Sequence, residues 1–304
     1  MTVRTTRAAL LAAAVVALVG TLGATAVAAQ AGPVGSGSAG APAAGTGTGG
    51  CCVDNGRAAA PAGWVGTFDG FPGASWAAAW GQSPEKAWGL GGDLTAVSDP
   101  SSPAGAVLDA RYGAHSSAHS CTNCPTTGGG EFYTQLRQLG HADWTTSPTL
   151  DLKYFVKFPA GFDFGKAGKL PGLYGGKIGE ESGGVHGNGF STRYMWRKPS
   201  NGEVYFYSPT GSGFGKDLGL GKWKFAADGR WHGVEQLVDR AGQKITIWYD
   251  GRQVFSTSVT GISGIPFSGL FFSTFFGGHD KSWGPSKTVH ASFADFSLSV
   301  AVQH

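Results

Sequence analysis

Alternation of apolar and polar positions is the clearest pattern in this chain. Across residues 189–197 (GFSTRYMWR), Phe190, Thr192, Tyr194 and Trp196 fall on one parity, and Ser191, Arg193 and Arg197 on the other. A strand turns successive side chains to opposite faces, so each parity is one face. Residues 203–207 (EVYFY) behave the same way, with Val204 and Phe206 on one face and Tyr205 and Tyr207 on the other. In residues 152–158, Leu152, Tyr154, Val156 and Phe158 share a face, and a Pro-Ala-Gly turn closes the run. Further strands are expected at 107–112, 131–136, 233–238, 244–249, 253–259 and 270–276, with one or two more between 286 and 300. Asp250-Gly251 reads as a hairpin turn, and so does Pro199-Ser200-Asn201-Gly202. In the second hairpin a two-residue Asn-Gly loop pairs Tyr205 with Lys198 and puts the tyrosines on the face opposite Arg193. An odd loop or a bulge pairs Tyr205 with Arg197 and Tyr207 with Met195, and brings both tyrosines onto the face of Arg193. No segment beyond the N-terminal one reads as an amphipathic helix. Many short strands between Gly-rich turns predict an all-β fold, a β-jelly-roll sandwich of antiparallel strands.

The rest of the chain sets the context. Residues 1–29 have the parts of a signal peptide: Arg4 and Arg7, an apolar run over 8–24, and Ala26-Val27-Ala28 for cleavage. The apolar run is also long enough for an uncleaved anchor, the second reading of this segment. Residues 30–50 are Gly, Ala, Ser, Thr and Pro without periodicity, a disordered linker. Residues 51–304 then form a single domain, and a secreted, extracellular protein with no membrane contact after signal cleavage is expected. The net charge of +3 falls to +1 without Arg4 and Arg7, too small an excess for a nucleic-acid partner. The charge is uneven: 4 basic against 8 acidic residues over 51–150, and 17 against 12 over 151–304, so an anion is drawn to the later part. Nothing in the sequence calls for more than a monomer.

Two features have competing readings. Cys51, Cys52, Cys121 and Cys124 are an even set in an exported chain, which favours disulfides. Cross-pairing of the two groups would tie the N-terminal segment to the domain. The C-x-x-C at 121–124 also allows a four-thiolate zinc site, for which the vicinal pair is poorly suited. The aromatics Trp64, Phe68, Phe71, Trp76, Trp80 and Trp88 could be a sugar-stacking platform, but core packing is the usual use of such residues.

Several chemistries lack their signatures. There is no G-x-S-x-G elbow and no H-E-x-x-H helix. Glu180, Glu181 and Glu203 could serve a glycosidase, but no spaced pair of strand carboxylates is evident. The set Lys169, Ser191, Arg193, Tyr205 and Tyr207 fits β-elimination on a uronic-acid polymer. The C5 proton is weakly acidic while its neighbouring carboxylate is charged, so a cation must neutralise the developing enolate. Arg193 or Lys169 can do this, and a guanidinium matches carboxylate geometry. Ser191 can orient the carboxylate. A tyrosine can take the proton or protonate the leaving O4 if cations lower its free pKa of about 10. Arg197, Arg111 and His186 are further substrate contacts; His119, His232 and His279 are spare candidates. Lys169 lies in a Gly-rich stretch whose reach alternation does not give.

These residues carry a family resemblance. KLPGLYGG from Lys169, GFSTRYMWR from Gly189, EVYFY from Glu203 and FSTFFGGHDKSWGP from Phe272 resemble polysaccharide lyase family 14 in order and spacing, over roughly 107–300. Family 20 glucuronan lyases share the fold and are a close competitor. The resemblance implies a β-jelly roll and an alginate or glucuronate lyase, with its lysine at Lys169, its Ser-x-Arg at Ser191 and Arg193, and its Tyr-x-Tyr at Tyr205 and Tyr207. The expected partner is an anionic uronic-acid polysaccharide. No cofactor or metal is required if side chains neutralise the carboxylate, and a structural calcium stays open. A non-catalytic carbohydrate-binding jelly roll is the alternative.

Overall fold

A computed structural model of the protein describes residues 63–182, 187–211 and 213–300. In chain order its strands are β1 (Trp64–Gly66), β2 (Leu94–Ser98), β3 (Ala106–Tyr112), β4 (Gly130–Gln135), β5 (Thr149–Lys157), β6 (Ala167–Leu170), β7 (Gly172–Gly175) and β8 (Phe190–Arg197). They continue as β9 (Asn201–Tyr207), β10 (Lys216–Leu218), β11 (Trp231–Asp239), β12 (Lys244–Tyr249), β13 (Arg252–Ser258), β14 (Phe267–Phe276) and β15 (Val289–Ser299). One antiparallel sheet runs β13-β12-β11-β5-β15-β3-β2, with β1 on β15. The other runs β10-β9-β8-β6-β14-β4, with β7 bridging β8 and β14. This is the expected jelly-roll sandwich. The six-residue helix α1 (Ala74–Ala79) is an addition, too short to show a helical period in the sequence.

The alternating apolar parities meet between the sheets. Leu152 and Tyr154 of β5, Tyr194 and Trp196 of β8, Val204 of β9, Leu270 and Phe272 of β14 and Phe293 of β15 are all without exposure. Burying side chains of this size contributes about 1.5–3 kcal/mol each. Tyr154 stacks on Phe296 at 4.6 Å, and Phe132 on Phe272 at 4.5 Å. Trp64, Phe68, Phe71, Trp76 and Trp80 join this core, the structural use of aromatics weighed above. Thr192 is the polar exception on the inward face of β8. It is matched across the core by Gln236 of β11, which accepts from its hydroxyl and donates to its carbonyl at 3.2 Å.

The two hairpin turns came out differently. Asp250 and Gly251 both have positive φ, 51° and 72°, and form the two-residue loop between β12 and β13. The other turn is not at Asn201-Gly202. It is the three residues 198–200, and Arg197 pairs with Asn201. Tyr205 therefore stands opposite Arg193, and Tyr207 opposite Ser191, four residues along β8 from the partners of the odd-loop register but on the same face. Gly202 serves packing here: a Cβ on it would lie 2.0 Å from the Trp223 indole nitrogen. Its N–H bonds the Trp223 carbonyl at 2.9 Å.

Candidate active site

The second sheet has one face on the core. On its other face the register builds three rows. In the first, Glu203 pairs with Met195, Met195 with Lys169, and Lys169 with Phe275. In the second, Tyr205 pairs with Arg193, and Ser273 with Glu131. The third holds Tyr207 opposite Ser191, then Tyr174 opposite Ser191 on the other side, and Phe271 opposite Tyr133. Lys169, Ser191, Arg193, Tyr205 and Tyr207 are thus on one face of one sheet. Lys169 is on β6 rather than in a loop, held between β8 and β14.

This face is polar yet largely covered. Arg193 is 3% exposed and Lys169 7%. The Arg193 guanidinium lies 4.2 Å from the Phe271 ring centroid and donates to Ser273 Oγ at 3.0 Å. Ser273 Oγ donates in turn to Glu131 Oε2 at 3.1 Å, and that oxygen is 4.0 Å from Arg193. Arg193 Nε has no partner among the described residues. Lys169 Nζ sits 3.4 Å from the Tyr205 ring centroid, a cation–π position. The acceptor it reaches is Met195 Sδ at 2.6 Å, a weak one for a buried amino group. The Tyr205 and Tyr207 rings meet edge-on at 5.2 Å.

Burial controls the proton affinities. It drives Lys169 well below the ordinary lysine range, helped by the positive charges of Arg193 and Arg197. It pushes Tyr205 up to about 12, with Tyr207 adding to the rise. This corrects the expectation that cations lower that phenol, since desolvation outweighs them. Glu131 and Glu203 are each raised to about 7 by burial, against the pull of Arg193 on the first and Arg197 on the second.

The remaining sequence candidates divide. Arg197 shares the face but is committed to ion pairs, Nε with Glu203 at 2.8 Å and Nη2 with Asp217 at 2.9 Å. Ser191 is fully buried and donates to the Glu181 carbonyl at 2.8 Å, so it anchors a loop instead of orienting a carboxylate. Glu181 accepts from Tyr133 at 2.7 Å and closes that end of the face. Arg111 is on β3 in the other sheet, where it pairs with Asp93 at 2.6 Å; it is not part of the site. His232 is also on that sheet, between Asp228 and Asp250. His186, Cys51 and Cys52 lie outside the described residues. Cys121 and Cys124 form a disulfide with each other, which replaces both the zinc reading and cross-pairing. Among the described residues no group of three or more His, Cys, Asp or Glu gathers as a metal site would require. Glu131, Met195 and Ser273 are site residues that sequence reading missed. Ser273 and Glu131 sit on alternating strands, but no pattern announces that those strands flank Arg193.

The family model described as Polysaccharide lyase 14 matches residues 100–296. The chain belongs to polysaccharide lyase 14. A solved structure similar to this family member is the PL-14 alginate lyase of Aplysia kurodai, 29% identical, with a TM-score of 0.57 over 68% of this chain and 87% of that one. Alginate lyase vAL-1 from Chlorella virus is 18% identical, with a TM-score of 0.52 over 68% and 88%. Alginate lyase Aly36B is 17% identical, with a TM-score of 0.54 over 81% and 100%. The last two show the shared fold. Comparison with curated proteins finds none that matches. As a polysaccharide lyase 14 member the protein is a polyuronate lyase, and the buried Lys169, Arg193 and Glu203 lie on the face described above.

Proposed function

We propose that the protein is an exported lyase that cleaves alginate by β-elimination, leaving an unsaturated uronate at the new end. The observation that carries this reading is the buried pair of Lys169 and Arg193 beside Tyr205, two basic side chains on one face with weak or shared acceptors. An anion at this face would pair with the guanidinium of Arg193, whose Nε has no partner among the described residues. Alginate comes first among polyuronates because the similar Aplysia and Chlorella virus proteins are alginate lyases; glucuronan is the alternative substrate.

The proton affinities divide the roles. Arg193 neutralises the carboxylate. The low pKa of Lys169 makes its amine a proton acceptor, and the high pKa of Tyr205 keeps it a proton donor. Lys169 takes the C5 proton, the released pair forms the C4–C5 double bond, the C4–O4 bond breaks, and Tyr205 gives its proton to O4. A proton returned from the ammonium of Lys169 to the phenolate of Tyr205 resets both. Tyr207 orients Tyr205 through their edge contact. This moves Lys169 from the carboxylate, where sequence reading placed it, to the proton.

The test is the ultraviolet absorbance of the unsaturated product on polymannuronate, polyguluronate and glucuronan. Lys169→Ala and Tyr205→Phe are each expected to lower kcat by about 10²–10⁴-fold. Lys169→Arg places a fixed charge there and offers no base, and is expected to be as poor as alanine. Retention of most activity in Lys169→Arg would return the lysine to a charge-neutralising role. A flat trace on all three polymers would sink the lyase proposal. For export, N-terminal sequencing of protein from the medium is expected to start near residue 30.

A further inference from the structure

The active face does not end at β4. The extended segment before β2 runs along the outer edge of β4, where Trp88 and Glu131 exchange backbone hydrogen bonds at 3.0 Å each. Trp88 therefore prolongs the row of Tyr205, Arg193, Ser273 and Glu131. Its indole, half-buried, lies 5.8 Å from the ring of Phe275, the residue paired with Lys169. Against it stacks His119, at 4.9 Å between ring centroids and 28° between planes. His119 is exposed, so its place on the indole is not explained by burial.

The loop that carries His119 is built to hold it there. The Cys121–Cys124 disulfide closes the loop two residues further on. Ser117 Oγ donates to the Gly277 carbonyl at 2.8 Å, Asn123 Oδ1 accepts from the Lys281 N–H at 3.1 Å, and Ser120 Oγ lies 3.3 Å from His279 Nδ1. These contacts fix the loop to the segment that follows β14, the strand that carries Ser273 and Phe275.

We infer that Trp88 and His119 form a distal subsite that stacks one uronate ring of the polymer, held in place by the disulfide loop. The inference rests on the polyuronate reading of the same face. An aromatic surface at the edge of the face that holds Arg193 suits a pyranose ring, which offers apolar C–H faces between its hydroxyls. From β8, which carries Arg193, to the Trp88 segment there are four inter-strand steps, about 19 Å along the sheet. A short oligosaccharide bound at Arg193 does not reach Trp88, whereas the polymer does.

Length dependence gives the test. Binding of polymannuronate and of its trimer is measured by calorimetry on Lys169→Ala protein, in which turnover is slowed, with Trp88→Ala or His119→Ala added. Each added substitution is expected to weaken polymer binding about three- to tenfold and to leave trimer binding as it was. Trp88→Phe is expected to restore most of the polymer affinity. His119 is exposed, so its replacement does not threaten folding, and thermal unfolding checks Trp88→Ala. Unchanged polymer affinity in His119→Ala and Trp88→Ala, or equal losses on polymer and trimer, would overturn the subsite. Absence of turnover by the wild-type protein would count against the lyase reading alone, because the binding comparison decides the subsite independently.

Discussion

At the scale of single residues, this face gathers ionisable groups away from water, and their pKa values register the cost. Glu203 is the plainest case. It has no exposure, its Oε2 has no hydrogen-bond partner among the described residues, and burial raises it to about 7 despite Arg197. The folded state therefore holds a proton that the unfolded chain releases near pH 4.5, so stability falls as pH rises from about 4.5 to about 7. Glu203→Gln removes this dependence. The variant is expected to match wild type at pH 4 and to exceed it at pH 8 by on the order of 3 kcal/mol. Urea unfolding at the two pH values measures this, and a variant less stable at pH 8 would show that the Arg197 pair outweighs desolvation. The same pair of acids bears on mechanism. Glu131 and Glu203 lie on β4 and β9, four strand steps apart along the sheet, about 19 Å. A glycosidase uses carboxyl groups roughly 5–9.5 Å apart.

At the scale of elements, the site depends on how closely β7 approaches β8. A Cβ on Gly172 would lie 2.4 Å from the Thr192 carbonyl oxygen and 2.5 Å from Arg193 Cα. Both are backbone atoms, so neither can swing aside. Gly172→Ala must push the strands apart where Arg193 is seated, at a cost of about 1–3 kcal/mol. The expected result is a lowered Tm together with at least a tenfold loss of kcat/KM. Wild-type kinetics in a folded Gly172→Ala protein would show that Arg193 does not need this spacing. The β8–β9 hairpin also shows how far local sequence can be read. The shared face of Tyr205, Tyr207 and Arg193 followed from alternation plus an odd loop. The turn position did not, because Asn201-Gly202 has the composition of a turn while Gly202 is small to admit Trp223. That contact comes from a residue 21 positions away, and no local rule contains it.

At the scale of the whole molecule, several raised and lowered groups combine into one pH profile. Asp99 and Asp163 stay below the usual aspartate range: burial opposes this, but Lys157 and Ser101 hold the first down and Ser286 and Gly165 the second. Their contribution is present above pH 3.8 and lost below it. His232 is raised by its hydrogen bond to Asp250 at 2.8 Å and, on its other nitrogen, by Asp228 at 3.1 Å. A histidine raised above its unfolded value of 6.5 stabilises fully below that pH and loses the contribution as pH climbs through the folded value. Glu131 and Glu203 act in the same direction from about 4.5 to 7. Lys169, depressed by burial, works the opposite way above its lowered pKa and limits the decline. Thermal unfolding from pH 3 to pH 8 is therefore expected to show a maximum near pH 4.5–5.5, and His232→Gln is expected to flatten the fall above pH 6.5. A Tm that climbs steadily from pH 4.5 to 7 would contradict this balance.

The sequence by itself determined the all-β class, most strands, and the sorting of Ser191, Arg193, Tyr205 and Tyr207 away from the core. These follow from a two-residue period and from the need to bury Phe, Trp and Leu, which operate within a few residues of each position. Only the tertiary structure decided the rest. Lys169 meets Tyr205 because β6 inserts between β8 and β14. Arg111, equally basic on paper, goes to the other sheet and pairs with Asp93. Ser273 and Glu131 join Arg193 from strands that are distant in the chain. The proton affinities of Lys169 and Tyr205 are also tertiary, because desolvation depends on what the whole fold places around a group rather than on its neighbours in sequence.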